Sequence, residues 1–132
     1  MEEQAFDLEL RQDRFIIRVM QDPTHESQMY DFFKRHEQKL NEIQIHKSAR
    51  LFFDIYQLSF NFTTLSYIPT IVAHFRKMES LSNQKLKACS VFVASATIAA
   101  IIQPLFDKYP GEVPTLISSD KELCKKFLRD AK

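Results

Sequence analysis

Residues 50–58 read RLFFDIYQL, and residues 86–94 read LKACSVFVA. Both runs are nearly continuous in apolar side chains, and the first is too short for an amphipathic helix. Runs of this kind are typical of β-strands that are buried on both faces of a sheet. We therefore expect both segments to lie inside a sheet.

The chain before the first of these runs predicts a β-hairpin followed by a helix. Residues 6–20 read FDLELRQDRFIIRVM, two short apolar alternations separated by the polar residues 11–14. After Pro23, apolar residues recur at three- and four-residue spacing, with charged residues on the other side. This pattern predicts an amphipathic helix that ends near His46.

The remaining segments predict three more helices and one short strand. A stripe from Ile68 to Met78 marks one helix, and Ser95 is a suitable cap for the next, which Pro104 should kink. Pro110 and Gly111 then predict a turn. Residues 113–117 predict a strand, and residues 119–122, SDKE, match a capping box for a last helix that runs almost to Lys132.

The resulting order is strand, strand, helix, strand, helix, strand, helix, strand, helix. Alternation of strands and helices after a hairpin predicts an α/β fold with a mixed, mainly parallel sheet and helices packed on it. No internal repeat or flexible linker divides the chain. Residues 1–132 therefore predict a single domain.

Composition excludes several classes of function. The chain has 132 residues, 45% of them hydrophobic, and a formal net charge of +1, so no overall field attracts nucleic acid or an anionic membrane. Gly111 is the single glycine, so no glycine-rich phosphate or dinucleotide loop is present. Cys89 and Cys124 lie in apolar segments without metal-like spacing, which favours reduced core cysteines. The polar N-terminus and the lack of a long apolar run predict a cytoplasmic protein with no membrane span.

A local pattern follows the third strand, where residues 54–65 read DIYQLSFNFTTL. With this segment, the element order of essentially the whole chain resembles the STAS fold of bacterial anti-sigma-factor antagonists. In that family a strand carrying an aspartate leads to a hydroxyl-rich turn, and a serine or threonine at the next helix start is phosphorylated by a partner kinase. Asp54 matches the aspartate, Leu58-Ser59-Phe60 matches the Val/Leu-Ser-Phe stretch, and Thr63 with Thr64 matches the hydroxyl pair.

Two positions depart from the family signature. Phe62 stands where an aspartate is usual, and Leu65 stands where a glycine is usual. The segment Asn61-Phe62-Thr63-Thr64 is also similar to the Asn-Thr-Ser-Ser turn of the SiaC-like proteins, which control a diguanylate cyclase. The resemblance does not separate the two branches.

Either resemblance implies a non-enzymatic signalling protein that works by partner switching. The unmodified protein would bind a serine/threonine kinase, a phosphatase or a signalling enzyme, and a phosphate at the helix start would abolish or redirect that binding. Physical chemistry agrees, because a helix start favours an anionic group and a phosphate opposes an apolar interface.

The phosphorylation candidates are Thr63, Thr64 and Ser66. Ser66 is the rival site, because a helix capped by Ser66 would hold Pro69 at its third position without losing a hydrogen bond. The alternative interpretation of all three hydroxyls is an ordinary loop and helix cap. The predicted partner-binding residues are Phe60, Asn61, Phe62 and Tyr67.

Two other classes of function stay open. A small-ligand or lipid-binding domain would use Ser95 and Thr97 at a helix start as an anion contact, with a deep pocket lined by Phe52, Phe92 and Ile101. A structural homodimer is the third possibility.

Enzymatic, metal and nucleic-acid functions have little support in the sequence. Asp54 has no second carboxylate placed beside it by local spacing, so no catalytic residue is predicted. The four histidines lie in separate segments without metal-like pairing, so neither a metal nor a cofactor is expected, and His36 and His74 should border the core. The basic residues between positions 34 and 50 are interrupted by glutamates and predict a solvated face rather than a nucleic-acid site.

Overall fold

The computed structural model describes residues 6–11, 14–23, 25–42, 49–59, 61–81, 86–108 and 113–131. Its strands are β1 (Phe6–Arg11), β2 (Arg14–Val19), β3 (Ala49–Asp54), β4 (Leu86–Phe92) and β5 (Thr115–Ser118). Its helices are α1 (Glu26–Glu42), α2 (Phe62–Leu81), α3 (Ala96–Lys108) and α4 (Lys121–Arg129). The predicted order of elements is confirmed.

The five strands form one sheet in the order β1-β2-β3-β4-β5. β1 pairs antiparallel with β2, and β2, β3, β4 and β5 are mutually parallel neighbours. The predicted N-terminal hairpin and mixed, mainly parallel sheet are therefore confirmed. This α/β architecture is consistent with a STAS-like fold.

The helices cover the two faces of the sheet unequally. Phe32 of α1, Ile68 of α2 and Ile102 of α3 belong to one large core with alternate residues of the strands. On the opposite face α4 packs on β3, β4 and β5, where Cys124 and Leu128 join a smaller core. The central strand shows why its sequence is continuously apolar, because its alternate side chains enter both cores.

Several predicted boundaries are corrected by the structure. The third strand ends at Asp54 rather than at residue 58, because the Asp54 carboxylate accepts a hydrogen bond from the Tyr56 backbone N–H (3.0 Å) and turns the chain. The fourth strand ends at Phe92, and β5 begins and ends one or two residues later than predicted. The cap of α4 is Asp120 rather than Ser119, with its carboxylate accepting from the Leu123 N–H (3.1 Å).

Three predictions fall on residues that the structure does not describe. They are the end of the first helix near His46, the turn at Pro110 and Gly111, and the place of Phe60. The predicted capping of α3 is confirmed, since the Ser95 hydroxyl accepts from the Ile98 N–H at 3.2 Å.

Both cysteines are buried and free of disulfides, as predicted. Burial is the main cause that raises the pKa of the Cys124 thiol to about 11, so this thiol stays protonated at neutral pH. None of the helices in the described part of the chain has the length and apolar character needed to cross a membrane.

Candidate functional site

The β3–α2 loop lies at the carboxyl end of the parallel strands, where α/β proteins most often place their binding sites. Ile55 and Leu58 are buried, and the Leu58 N–H donates to the Ile55 carbonyl at 3.1 Å. Tyr56 and Gln57, between them, are exposed. The loop is therefore anchored by apolar residues at both sides of an exposed tip.

A reciprocal pair of hydrogen bonds defines the start of α2. The Thr64 N–H donates to Asn61 Oδ1 at 3.0 Å, and the Asn61 N–H donates to Thr64 Oγ1 at 3.1 Å. The Leu65 N–H donates to the Asn61 carbonyl at 3.0 Å, which makes Asn61 the N-cap residue. The arrangement works like a capping box, with a threonine in the place of the usual glutamate or glutamine.

Thr64 is held inside this start of the helix. Its side chain is buried, with 2% of the residue exposed, and its hydroxyl also donates to the Ser59 carbonyl. A kinase could reach this oxygen only after local opening of the loop. The geometry therefore favours the capping interpretation for Thr64.

Ser66 does not cap the helix, so the alternative helix start that the sequence left open is wrong. Because α2 already begins at Phe62, Ser66 lies in the second turn and Pro69 lies inside the helix. The reason for the error is the strong local cap at Asn61, which outweighs the preference of proline for a first turn. Ser66 is exposed.

The other predicted site residues are brought together only in part. Asn61 is exposed beside the loop, while Tyr67 is half-buried and packs against the main core. Phe62 and Thr63 are the first two residues of α2, and their side chains lie outside the described part, as does all of Phe60.

Sequence reasoning missed an exposed aromatic residue of this edge. Tyr56 is 53% exposed and stacks on Phe92, with ring centroids 5.4 Å apart and an interplanar angle of 16°. Met20, which follows the neighbouring strand β2, is also exposed. Tyr56 was assigned to a long strand, although an aspartate two residues earlier is a signal for a turn.

A second missed contact joins two loops at this edge. The Ser59 N–H donates to Asp22 Oδ1 at 2.7 Å, which ties the β3–α2 loop to the β2–α1 loop. The contact spans 37 positions of sequence, so no local pattern could have indicated it. It fixes the backbone that carries the Ser59 carbonyl toward Thr64.

The pocket expected for a small ligand is not formed by its predicted residues. Phe52 and Phe92 lie in the core under α4, whereas α3 packs on the other face and its Ile101 is 44% exposed. A cavity in the main core, bordered by Tyr67 and Ile68, has a volume of about 20 Å³, which is room for about one water molecule. Ser95 is engaged as a helix cap, and Thr97 is exposed.

Two buried histidines meet between α1 and α2. His36 Nδ1 lies 3.0 Å from His74 Nε2, and each ring stacks on a phenylalanine of α1. Burial, followed by the charge of His74, lowers the pKa of His36 to about 3. Burial, followed by the charge of Lys77, lowers the pKa of His74 to about 4. Two neutral rings therefore share one hydrogen bond, in agreement with the expectation that both border the core.

The described residues contain no group of three or more histidine, cysteine, aspartate or glutamate side chains that could hold a metal ion. No family model matches the sequence, and no curated protein matches it.

Proposed function

We propose that this chain is a non-enzymatic, cytoplasmic signalling protein of the anti-sigma-factor-antagonist (STAS) type. It binds a protein partner, and phosphorylation at the start of α2 controls the binding. The partner is a serine/threonine kinase, a phosphatase or a signalling enzyme. Support comes from the N-terminal hairpin, the mainly parallel sheet and a helix start directly after the strand that ends in Asp54.

The observation that carries the proposal is the reciprocal cap between Asn61 and Thr64. It makes Thr63 the second residue of α2, where the helix dipole and the first backbone N–H groups favour an added phosphate. The Thr64 hydroxyl is already engaged by the backbone of Ser59 and Asn61. Of the hydroxyl pair, we therefore propose Thr63 as the acceptor.

The surroundings explain how a phosphate would release a partner. Tyr56 and Met20 offer exposed apolar surface at the same edge of the sheet. A phosphate adds about −1.5 to −2 charges there, and an apolar interface would have to strip it of water. Binding of the unmodified form and release of the phosphorylated form follow from this penalty.

The test compares Thr63→Glu with the matched control Thr70→Glu. Thr70 is an exposed threonine of the same helix, two turns further on. The tagged full-length variants are used for cross-linking in cells of the source organism, and the phosphorylated residues are mapped by mass spectrometry. We expect phosphate on Thr63 in the wild type and a kinase, phosphatase or signalling enzyme that is retained by Thr70→Glu and lost by Thr63→Glu.

Two results would contradict the proposal. The first is an unchanged set of cross-linked proteins for a folded Thr63→Glu variant. The second is the absence of phosphate on residues 61–67 under every condition in which the protein is expressed. Ser66→Glu separates the acceptors, since loss of the partner in this variant alone would move the site to Ser66.

A further inference from the structure

Among the residues that the structure describes, no helix packs on β1 and β2 on the face that α4 occupies. α4 packs on β3, β4 and β5, while Arg14, Ile16 and Arg18 of β2 lie on the same face beside it. Strand alternation places Asp7 and Glu9 of β1 next to them, where both accept hydrogen bonds from Arg18. The described part of this face is therefore half-buried and mostly charged.

Charge is distributed unevenly along this face. At the carboxyl end, Arg18 lies opposite both Asp7 and Asp54 in the register, so opposite charges alternate across three strands. At the amino end, Arg14 lies directly opposite Arg50. Like charges at directly opposite positions are unfavourable, so the pair of Arg14 and Arg50 is expected to have a use other than stability.

The two arginines differ in their surroundings. The Arg50 guanidinium donates to the Ala131 carbonyl at 3.0 Å, close to the end of α4. No ion pair to Arg14 is formed within the part of the chain that the structure describes.

Helix α4 adds positive charge along its flank. Leu123, Phe127 and Asp130 line a groove against β5, which defines the flank of the helix on the β5 side. Helical spacing of about 100° per residue puts Lys125 and Arg129 on the opposite flank, beside the uncovered strands. Arg129 is exposed, and Lys125, with 43% of its side chain exposed, forms an ion pair with the exposed Glu122 at 3.8 Å.

We infer that Arg14, Arg50, Lys125 and Arg129 form a basic surface that binds a short acidic segment of a protein partner. Guanidinium groups bind carboxylates with two parallel hydrogen bonds, which suits glutamate or aspartate side chains. Neighbouring strands lie about 5 Å apart, so Arg14 and Arg50 together fit only a few carboxylates. α2 packs on the other face of the sheet, so this inference does not depend on phosphorylation at Thr63.

Charge on the same face argues against a nucleic acid as the occupant. A phosphate backbone that continued along β2 from Arg14 would reach the carboxylates of Glu9, Asp7 and Asp54 within about 13 Å. These groups would repel a long polyanion but not an acidic segment that ends after a few residues. The end of the face where Arg18 pairs with Asp7 and Glu9 thus limits the length of the ligand.

The probe is a capped tetraglutamate peptide, titrated at low ionic strength into the full chain labelled for amide NMR spectroscopy. We expect shifts of the amides of β2, β3 and α4 near Arg14, Arg50 and Arg129. Arg129→Glu and Arg14→Glu should each weaken binding at least about tenfold. Lys34→Glu, with the same change in charge on exposed α1 of the opposite face, should change it less than about twofold.

Three outcomes would overturn the inference. Tetraglutamate does not bind the folded wild type, or Lys34→Glu weakens binding as much as Arg129→Glu does. The third is a short DNA duplex that binds this surface more tightly than the peptide does. Because Arg129 is exposed on α4, its variant keeps the test valid even where Arg14→Glu disturbs the strand pairing.

Discussion

Helix α2 is held by polar contacts at two places that differ in kind. At its start, Asn61 and Thr64 exchange hydrogen bonds three residues apart in sequence. In its middle, His74 contacts His36 of α1, a residue 38 positions away. The first contact is local and orders a loop, whereas the second joins two helices within the main core. The comparison shows that one helix can have a start set by its own sequence and a middle set by the fold.

The largest expected effect comes from removing one ring of the distant contact. His36→Ala deletes a side chain that stacks on Phe32 at 5.9 Å and bonds His74, and it leaves His74 buried with less packing. We expect a loss of about 3 kcal/mol in the free energy of unfolding, measured by urea denaturation. His25→Ala, at an exposed histidine, is the control and should change stability by less than about 0.5 kcal/mol. Equal stability of the two variants would show that the histidine contact is not structural.

Acid should weaken the same contact. The folded-state pKa values of His36 and His74 are about 3 and about 4, below the ordinary histidine value of 6.5. The unfolded chain therefore binds more protons below pH 6.5, and stability is lost as pH falls from there toward 4. Between pH 7 and pH 5 we expect a loss of roughly 2–4 kcal/mol in the free energy of unfolding.

Urea denaturation across this pH range checks the expectation, with His74→Gln as the comparison. Glutamine keeps a neutral hydrogen-bonding side chain but cannot titrate, so the slope should fall by about half. A wild-type stability that does not change between pH 7 and pH 5 would contradict the burial of the pair as neutral rings.

The difference between local and distant contacts also explains which features could be predicted from the sequence. The alternation of hairpin, strands and helices follows from the local spacing of apolar residues, so the order of elements and the type of sheet could be predicted from the sequence. Ser95 was also identified as a cap from its position alone. The end of β3 was not identified, because the buried apolar run continues from the strand into a loop that is anchored by Ile55 and Leu58. Buried apolar residues follow one another in the strand and in the loop alike, so the sequence pattern shows no boundary between them.

The candidate site was predictable only where its contacts are local. The segment around Asn61 and Thr64 was located correctly, but the rotamer that buries Thr64 depends on the Ser59 carbonyl, which Asp22 helps to position. Likewise, His36 and His74 were expected near the core, whereas their contact requires the packing of α1 on α2. Contacts between distant segments produce no periodic pattern in the sequence, so they could not be predicted from it.

Removal of the local contact between Asn61 and Thr64 should give the next largest loss of stability. Thr64→Val keeps the shape of the side chain but removes the acceptor of the Asn61 N–H and the donor to the Ser59 carbonyl. We expect a loss of about 1–3 kcal/mol in the free energy of unfolding. Thr70→Val, at an exposed position of the same helix, should be nearly neutral.

Amide hydrogen exchange sharpens the distinction between the two contacts of α2. In Thr64→Val the first turn of the helix and the β3–α2 loop should exchange faster, while amides near His74 keep their protection. In His36→Ala protection should fall along α1 and the middle of α2. Uniform loss of protection in both variants would mean that the two contacts belong to one cooperative unit.

The smallest loss of stability is expected at the start of α4, where it tests whether this helix is also capped by a neighbouring residue in the sequence. At α4 the Asp120 carboxylate accepts from the Leu123 N–H at 3.1 Å, and the neighbouring Ser119, which the sequence suggested as the cap, is exposed. Asp120→Ala should cost about 1 kcal/mol in the free energy of unfolding, because it removes both the hydrogen bond and a negative charge at the positive end of the helix dipole. Ser119→Ala should cost less than about 0.5 kcal/mol. The opposite ranking would return the cap to Ser119.

Because α4 is short, a destabilised start should also appear as faster amide exchange through Cys124, whereas α2 is long enough to confine the effect of Thr64→Val to its first turn.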